Sequence, residues 1–352
     1  MWDSNTGLFS HKTRIGDDGS YINERGNPLY SAMAIVGLLE DEATGCACAP
    51  TLVGPTLDAL HCVHACRSEA ALGGCLMWAA ALAEDSRTVE VLMRTTRSLN
   101  IRRASSMELG LVLSGLMKCH EHKPQLRDKV AAVMPEIRDE LLRRFSWSAN
   151  LFRGVSRGRP VNVREGRLTS FASQAYPLHG LAHLARCVEG SVRPECARAA
   201  QQLVDEQGSH GQWWWQYSAA SGHTVEGYPV YSVHQDGMAF MALGTLHNLG
   251  QGVYDAPLWR GLQWLFGENE LGESLVSRHP EMIFRCIQRR GSDADGISGM
   301  SRRNRTGAVL ASVGLYPVAG SHAKQGTLEI LRECRSYHLG WLLYANSIAR
   351  TW

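Results

Sequence analysis

Leu203-Val-Asp-Glu-Gln207-Gly-Ser-His-Gly211-Gln-Trp213 decides how this chain is read. An apolar residue, Gln207, Gly211 and Trp213 follow one another at spacings of four, four and two. The stretch ends a helical pattern in a polar residue, a glycine turn and a tryptophan large enough to demand burial. Further on, Arg260-Gly261-Leu262-Gln263-Trp264-Leu265, followed by Asn269 and Gly272, gives a degenerate version of the same phrase. One helix-ending phrase used twice points to a repeated helical unit.

Working outward, apolar residues keep helical rather than alternating spacing almost throughout. Six segments are rich in Gly, Ala, Ser and Met and apolar nearly all round: 29–40, 73–84, 106–119, 171–187, 233–248 and 336–349. Such helices are buried on both sides. Between them lie amphipathic, more charged segments at 56–68, 86–98, 127–145, 194–207 and 257–267, with another expected at 279–289 or 322–333. The alternation predicts an all-α, (α/α)6-like toroid of about six helical hairpins, with residues 1–352 as a single domain. Five or seven hairpins also fit the pattern. A plain helical solenoid competes, but long Gly-rich connections and the lack of a fixed repeat length argue against it.

The Gln207, Gly211, Trp213 phrase resembles the Gln…Gly-x-Trp repeat of the terpenoid-cyclase and prenyltransferase group, over residues 195–275. The resemblance implies an α/α-toroid. It carries no catalytic residues with it, because the Asp-x-Asp-Asp and Asp-Asp-x-x-Asp motifs of the cyclases have no counterpart here. The zinc motifs of protein prenyltransferases and of lanthionine-cyclase-like toroids are missing too.

Composition narrows the function. With 36 Lys and Arg against 34 Asp and Glu, the formal charge of +2 is too small for a general nucleic-acid binder. Met1-Trp2-Asp3-Ser4 opens polar and no long uncharged apolar run follows, so neither a secretory leader nor a membrane span is expected. Ten cysteines, several inside helical patterns, suggest core thiols in a cytoplasmic protein. His61-Cys62-Val63-His64-Ala65-Cys66 is the one sequence with metal-like content. It lacks a second spaced pair, so core cysteines on an outer helix are the expected reading, and no metal or cofactor is expected.

Connections entering the six buried helices are long (8–28, 146–169, 208–232, 290–321), whereas those leaving are short. In a toroid the long ones share a rim, where function concentrates. The helices also begin polar. Tyr30 opens the first; Gln174, Tyr176 and His179 sit early in the fourth; His234, Gln235 and Asp236 open the fifth; Tyr337 and His338 open the sixth. Capping explains serines such as Ser105 and Ser170. It does not explain recurring Tyr, His and Gln.

The densest stretch is 212–236, with Trp213, Trp214, Trp215, Tyr217, Glu226, Tyr228 and Tyr231. Three consecutive tryptophans cannot all face one interior, and Trp or Tyr on a cavity wall stacks sugars or shields cations. Trp214, Trp215, Tyr217, Tyr228, Gln235, Gln174, Tyr176 and His179 are therefore expected to bind substrate. Arg25, Arg164 and Arg335 are expected to hold an anionic group. Asp236, His234, Tyr231, Tyr337, His338, Tyr30 and Glu226 are the proton-transfer candidates.

Tyr30-Ser-Ala-Met-Ala resembles a phrase in the helical catalytic domain of glucuronyl C5-epimerases. The combined expectation is an enzyme acting on an anionic sugar or glycan by epimerisation, elimination or hydrolysis. A terpenoid-cyclase-like enzyme with unfamiliar acids, protonating through Asp236 or Glu226, is the alternative; a non-catalytic helical scaffold is the third. A hydrogen-bonding site favours sugar, and a deep dry aromatic cavity favours an isoprenoid.

Overall fold

The computed structural model describes residues 1–16, 18–43, 45, 50–155, 166–279, 281–291 and 327–352. The chain alternates inner and outer helices: α1 (Pro28–Ala43) inside, α2 (Val53–Cys66) outside, α3 (Ala70–Leu82) inside, α4 (Thr88–Ser98) outside. α5 (Ser106–His122) and α6 (Arg127–Arg144) form the third pair, α7 (Ala172–Leu184) and α8 (Pro194–Asp205) the fourth. The fifth inner helix, α9, consists of π-wound segments His234–Met238 and Phe240–Gly244 running into Thr245–Asn248. Its outer partner is α10 (Asp255–Leu265), and α11 (Ser336–Ala349) is the sixth inner helix.

Neighbouring inner helices pack in sequence, and α11 closes on α1. Small residues make the closure possible. A Cβ on Gly37 would run into the Gly340 carbonyl, so the two backbones touch where α1 meets α11. Inner helices have no polar stripe: α3 is buried along almost its whole length. α4 and α8 bury only one face. The all-α toroid is the observed architecture. At 281–283, 286–289 and 328–331, however, the expected further outer helix is absent. These are strands, with Cys286 paired to Leu331 and Ile287 to Ile330. Their β-branched residues and length of three or four residues suit a ladder; the apolar run is too short to separate the two periods.

Every described strand lies on a connection that enters an inner helix. The long-loop rim is thus built of small sheets. Below it, the ring axis is filled. Lys118 and the Trp78 indole both contact the Glu40 carboxylate, at 2.6 and 2.7 Å. His179 stacks on Trp78 and bonds Ser114 and the Tyr344 hydroxyl at 2.8 and 2.7 Å. These residues sit in the later turns of their helices, so the polar plug closes the ring beneath the sheeted rim.

The Gln207 repeat has a structural purpose. Its amide donates to the carbonyls of Gly211 and Pro257, tying the end of α8 to the start of α10. Gly211 has φ +89°, and a Cβ there would meet the Arg260 carbonyl. Trp213 is fully buried.

Candidate functional site

Two rim sheets bring distant segments together. Residues 13–15 pair with 21–23 and with 333–334, which sets His11 and Arg335 beside α1. Tyr231 pairs with Cys286, which sets Arg285 beside the first turn of α9. Tyr30 and Tyr337, from the first turns of α1 and α11, lie with ring centroids 4.4 Å apart, and His11 is 5.0 Å from Tyr30. The Arg285 guanidinium sits 5.4 Å over the Tyr231 ring, while Trp215 meets that ring edge-on at 5.7 Å. His234 is 5.3 Å from Tyr231 and 4.8 Å from Phe171.

Charge at this rim is concentrated. The Glu333 carboxylate receives Arg285 Nη1 at 2.7 Å and Arg335 Nη2 at 2.8 Å, with Lys12 Nζ at 3.8 Å. Lys12 also pairs with Glu24 at 3.0 Å. Among the described residues, Arg285, Arg335 and Lys12 thus meet at Glu333 in a largely buried setting. Burial raises the Tyr231 and Tyr337 hydroxyls well above the ordinary phenol range, and the arginines only partly offset it. Both are proton donors at neutral pH. Burial pushes His234 down to about 3, offset in part by the Trp213 backbone. His234 is thus neutral, and its Nδ1 has no hydrogen-bond partner among the described residues. His11 is lowered by burial and by Arg335.

Asp236 and His338 are turned toward one another. His338 Nε2 lies 2.9 and 2.8 Å from the two carboxylate oxygens, and both residues are almost fully buried. Glu226 stands elsewhere on the rim, 3.6 Å from Arg289 and accepting from the Tyr228 N–H. Burial raises its pKa, with the Tyr228 N–H and Arg289 acting in the opposite direction.

Several expected substrate contacts turn out to be structural. The Gln174 amide holds the backbone N–H and C=O of Phe152, and the Gln235 amide holds those of Trp213. Fully buried and so committed, neither glutamine has an atom to offer a ligand. The Tyr228 hydroxyl donates to Glu270 at 2.6 Å, and Glu270 also takes Gln212 and the Trp264 indole. Tyr217 is enclosed behind its strand. His179 belongs to the axial plug. Tyr176 accepts from the Trp341 indole at 3.0 Å and is buried. Trp214 packs edge-on against Tyr228 and lines a separate polar hollow of about 450 Å³ with Glu206, Gln207 and His223. Arg25 is exposed, and its backbone carbonyl accepts from the His11 N–H at 2.9 Å. Arg164 lies outside the described residues.

Arg285, Glu333, Lys12 and His11 are the rim groups that the sequence reading missed. Arg285 was hidden inside the stretch expected to be an outer helix. In the His61–Cys66 motif, His61 pairs with Asp85, His64 with Thr95, and Cys62 and Cys66 are exposed rather than buried. Among the described residues no cluster of three metal-ligating side chains occurs. Nor is any described helix long and apolar enough to cross a membrane.

No protein-family model matches the chain, and no curated protein sequence does. Its fold does have solved counterparts. A possible member of the GH105 family from Salmonella enterica serovar Paratyphi A superposes with a TM-score of 0.60 at 10% identity, covering 99% of this chain and 89% of that one. The cellobiose 2-epimerase of Spirochaeta thermophila gives 0.59 at 11% identity, over 99% and 92%. A sugar epimerase from a ruminal bacterium gives 0.58 at 7% identity, over 90% and 95%. What these likenesses establish is the fold, an α/α-toroid shared along nearly the whole chain.

Proposed function

We propose that this protein is an enzyme acting on a carbohydrate, and that its substrate carries an acidic sugar at the rim. One observation carries the reading: Tyr30, Tyr231, Tyr337 and His234 converge from three inner helices beside the Arg285, Arg335 and Glu333 cluster. Solved structures of similar fold, among them a sugar epimerase and a cellobiose 2-epimerase, lend it support. The isoprenoid alternative needs a deep dry cavity, and the axis beneath this rim is filled instead by Lys118, Glu40, His179 and Tyr344.

The chemistry that suits these groups is proton transfer at the carbon next to a carboxylate. Arg285 and Arg335 neutralise that carboxylate, which lets charge move onto it when the adjacent C–H bond breaks. His234, neutral and with its Nδ1 unpartnered among the described residues, takes the proton. A tyrosine hydroxyl then donates. Donation to the same carbon from the opposite face inverts it, as in epimerisation. Donation to the neighbouring glycosidic oxygen breaks the C–O bond and leaves a C=C bond, as in elimination. Hydrolysis fits less well, because Asp236 is held by His338 and Glu226 by Arg289.

The test is incubation in D2O with oligosaccharides rich in uronic acid and with neutral ones, followed by NMR. Deuterium at the carbon beside the carboxylate, or an unsaturated uronate, is the expected result. Turnover confined to neutral glycans, or no turnover of either class, would overturn the reading.

A further inference from the structure

We infer that Asp236 is a positioning residue, acting through His338 and Ser232 to hold Arg285 where an anionic group is received. The inference rests on the reading above for the role of Arg285, but not for the linkage itself.

The linkage is a continuous hydrogen-bond path. Both Asp236 oxygens lie on His338 Nε2, so that nitrogen is a donor. His338 Nδ1 is 3.4 Å from Ser232 Oγ. Ser232 Oγ in turn donates to the Arg285 carbonyl at 2.9 Å, and the Ser232 backbone N–H reaches the same carbonyl at 2.9 Å. Counting hydrogens orders the path. The single Ser232 hydroxyl hydrogen goes to Arg285, so Ser232 offers only lone pairs to His338. The path then runs in one direction, from the carboxylate's partner to the backbone of the strand that carries Arg285.

The fourth inner helix supplies an independent argument. Gln174 and Gln235 make the same clamp, which places Ala175 of α7 where α9 has Asp236, and Phe171 where α9 has Ser232. Ala175 is fully buried, so the toroid accepts an apolar side chain at that position. Burying a carboxylate and an imidazole there costs desolvation that packing alone would avoid. What the pair adds is a fixed backbone at Arg285, whose guanidinium is then held between Tyr231 and Glu333.

Two measurements separate this role from a catalytic or merely structural one. In 1H–15N spectra of the free protein, Arg285→Lys assigns the Arg285 Nε–H signal, which Asp236→Asn and, separately, Ser232→Ala are expected to shift or broaden. An unchanged signal in both variants overturns the inference, whatever the substrate proves to be. Ser232→Ala leaves the buried ion pair intact, so it decides the matter even where Asp236→Asn folds poorly. In kinetics on an acidic oligosaccharide, Asp236→Asn should raise KM about tenfold with a smaller change in kcat, and Arg285→Lys should do the same. Because both act through Arg285, the double variant should be no worse than Arg285→Lys alone. A large fall in kcat at constant KM, multiplying with Arg285→Lys, would make Asp236 catalytic and overturn the proposal. Absence of any activity on acidic sugars would count against the functional reading, while the NMR result still decides the linkage.

Discussion

The entries to the fourth and fifth inner helices are one design with two uses. In each, a positive-φ residue (Asn150 or Gly211) is followed two positions on by a buried aromatic (Phe152 or Trp213). In each, a glutamine 22 residues later clamps that aromatic's backbone from the first turns of the inner helix. In register with the clamp, Ser170, Ser173 and Ala175 at the entry to α7 stand where Tyr231, His234 and Asp236 stand at the entry to α9. Deeper down the sequence order reverses: 61 positions on from His179 and His183, the π-wound α9 has Phe240 and Gly244. The scaffold therefore does not require Tyr, His or Asp at the rim of α9, or His in the depth of α7. What the shared frame keeps is structure, and what differs is available for chemistry.

The largest expected effect comes from converting one entry into the other. His234→Ser with Tyr231→Ser should lower kcat/KM on the true substrate by a factor on the order of 1,000 or more, since both proton-transfer groups go. Folding should survive, because serine is what α7 accepts at these positions. Ser173→Ala, the mirror change in α7, should leave turnover within a factor of about two. A double serine variant that keeps its activity would break the functional half of the comparison. One that loses its near-ultraviolet circular dichroism would break the structural half.

The clamps come next. Gln174→Ala and Gln235→Ala each strand a buried backbone N–H and C=O, at a cost of about 1–3 kcal/mol per group. Unfolding midpoints in urea should fall by similar amounts in the two variants, with the slope of the transition unchanged. A Gln235 variant that kept full stability but lost activity would restore that residue to the site and end the equivalence.

Much of this frame was legible in the sequence because it rests on local signals. Helical spacing located eleven helices, and the Gln207, Gly211, Trp213 phrase located the turn that joins α8 to α10. The site was only half legible. Tyr30, Tyr231, His234 and Tyr337 were found because polar residues opening buried helices have no local reason to be there. Arg285 was not, since a short strand such as 286–289 offers too few residues for its period to show. Gln174 and Gln235 looked like ligand-binding amides, and only coordinates reveal that each already holds a backbone. Asp236 and His338 were both noted, yet their pairing spans 102 positions and leaves no trace in the pattern. The three tryptophans split three ways: Trp213 beneath the turn, Trp214 to an outer hollow, Trp215 to Tyr231.

The smallest effect sharpens the deeper half of the comparison. Burial holds His179 and His183 well below the ordinary imidazole range, with Lys118 and Arg186 adding to it. Unfolded, both titrate near pH 6.5. Below that pH the unfolded chain binds protons that the folded chain refuses, so stability is complete above about pH 6.5 and falls as the solution is acidified. Each histidine contributes a slope of about 1.4 kcal/mol per pH unit in that window. Phe240 and Gly244 contribute none. Giving α7 the residue of α9, His179→Phe, should lower stability at pH 7.5 through the lost bonds to Ser114 and Tyr344. It should also flatten the pH dependence between 6.5 and 5.5 by one histidine's share. His234→Ser should flatten it by the same share, because His234 is depressed by the same cause. Urea midpoints measured across that range test both, and a variant whose slope matched the parent's would show that its imidazole already titrates normally in the folded ring.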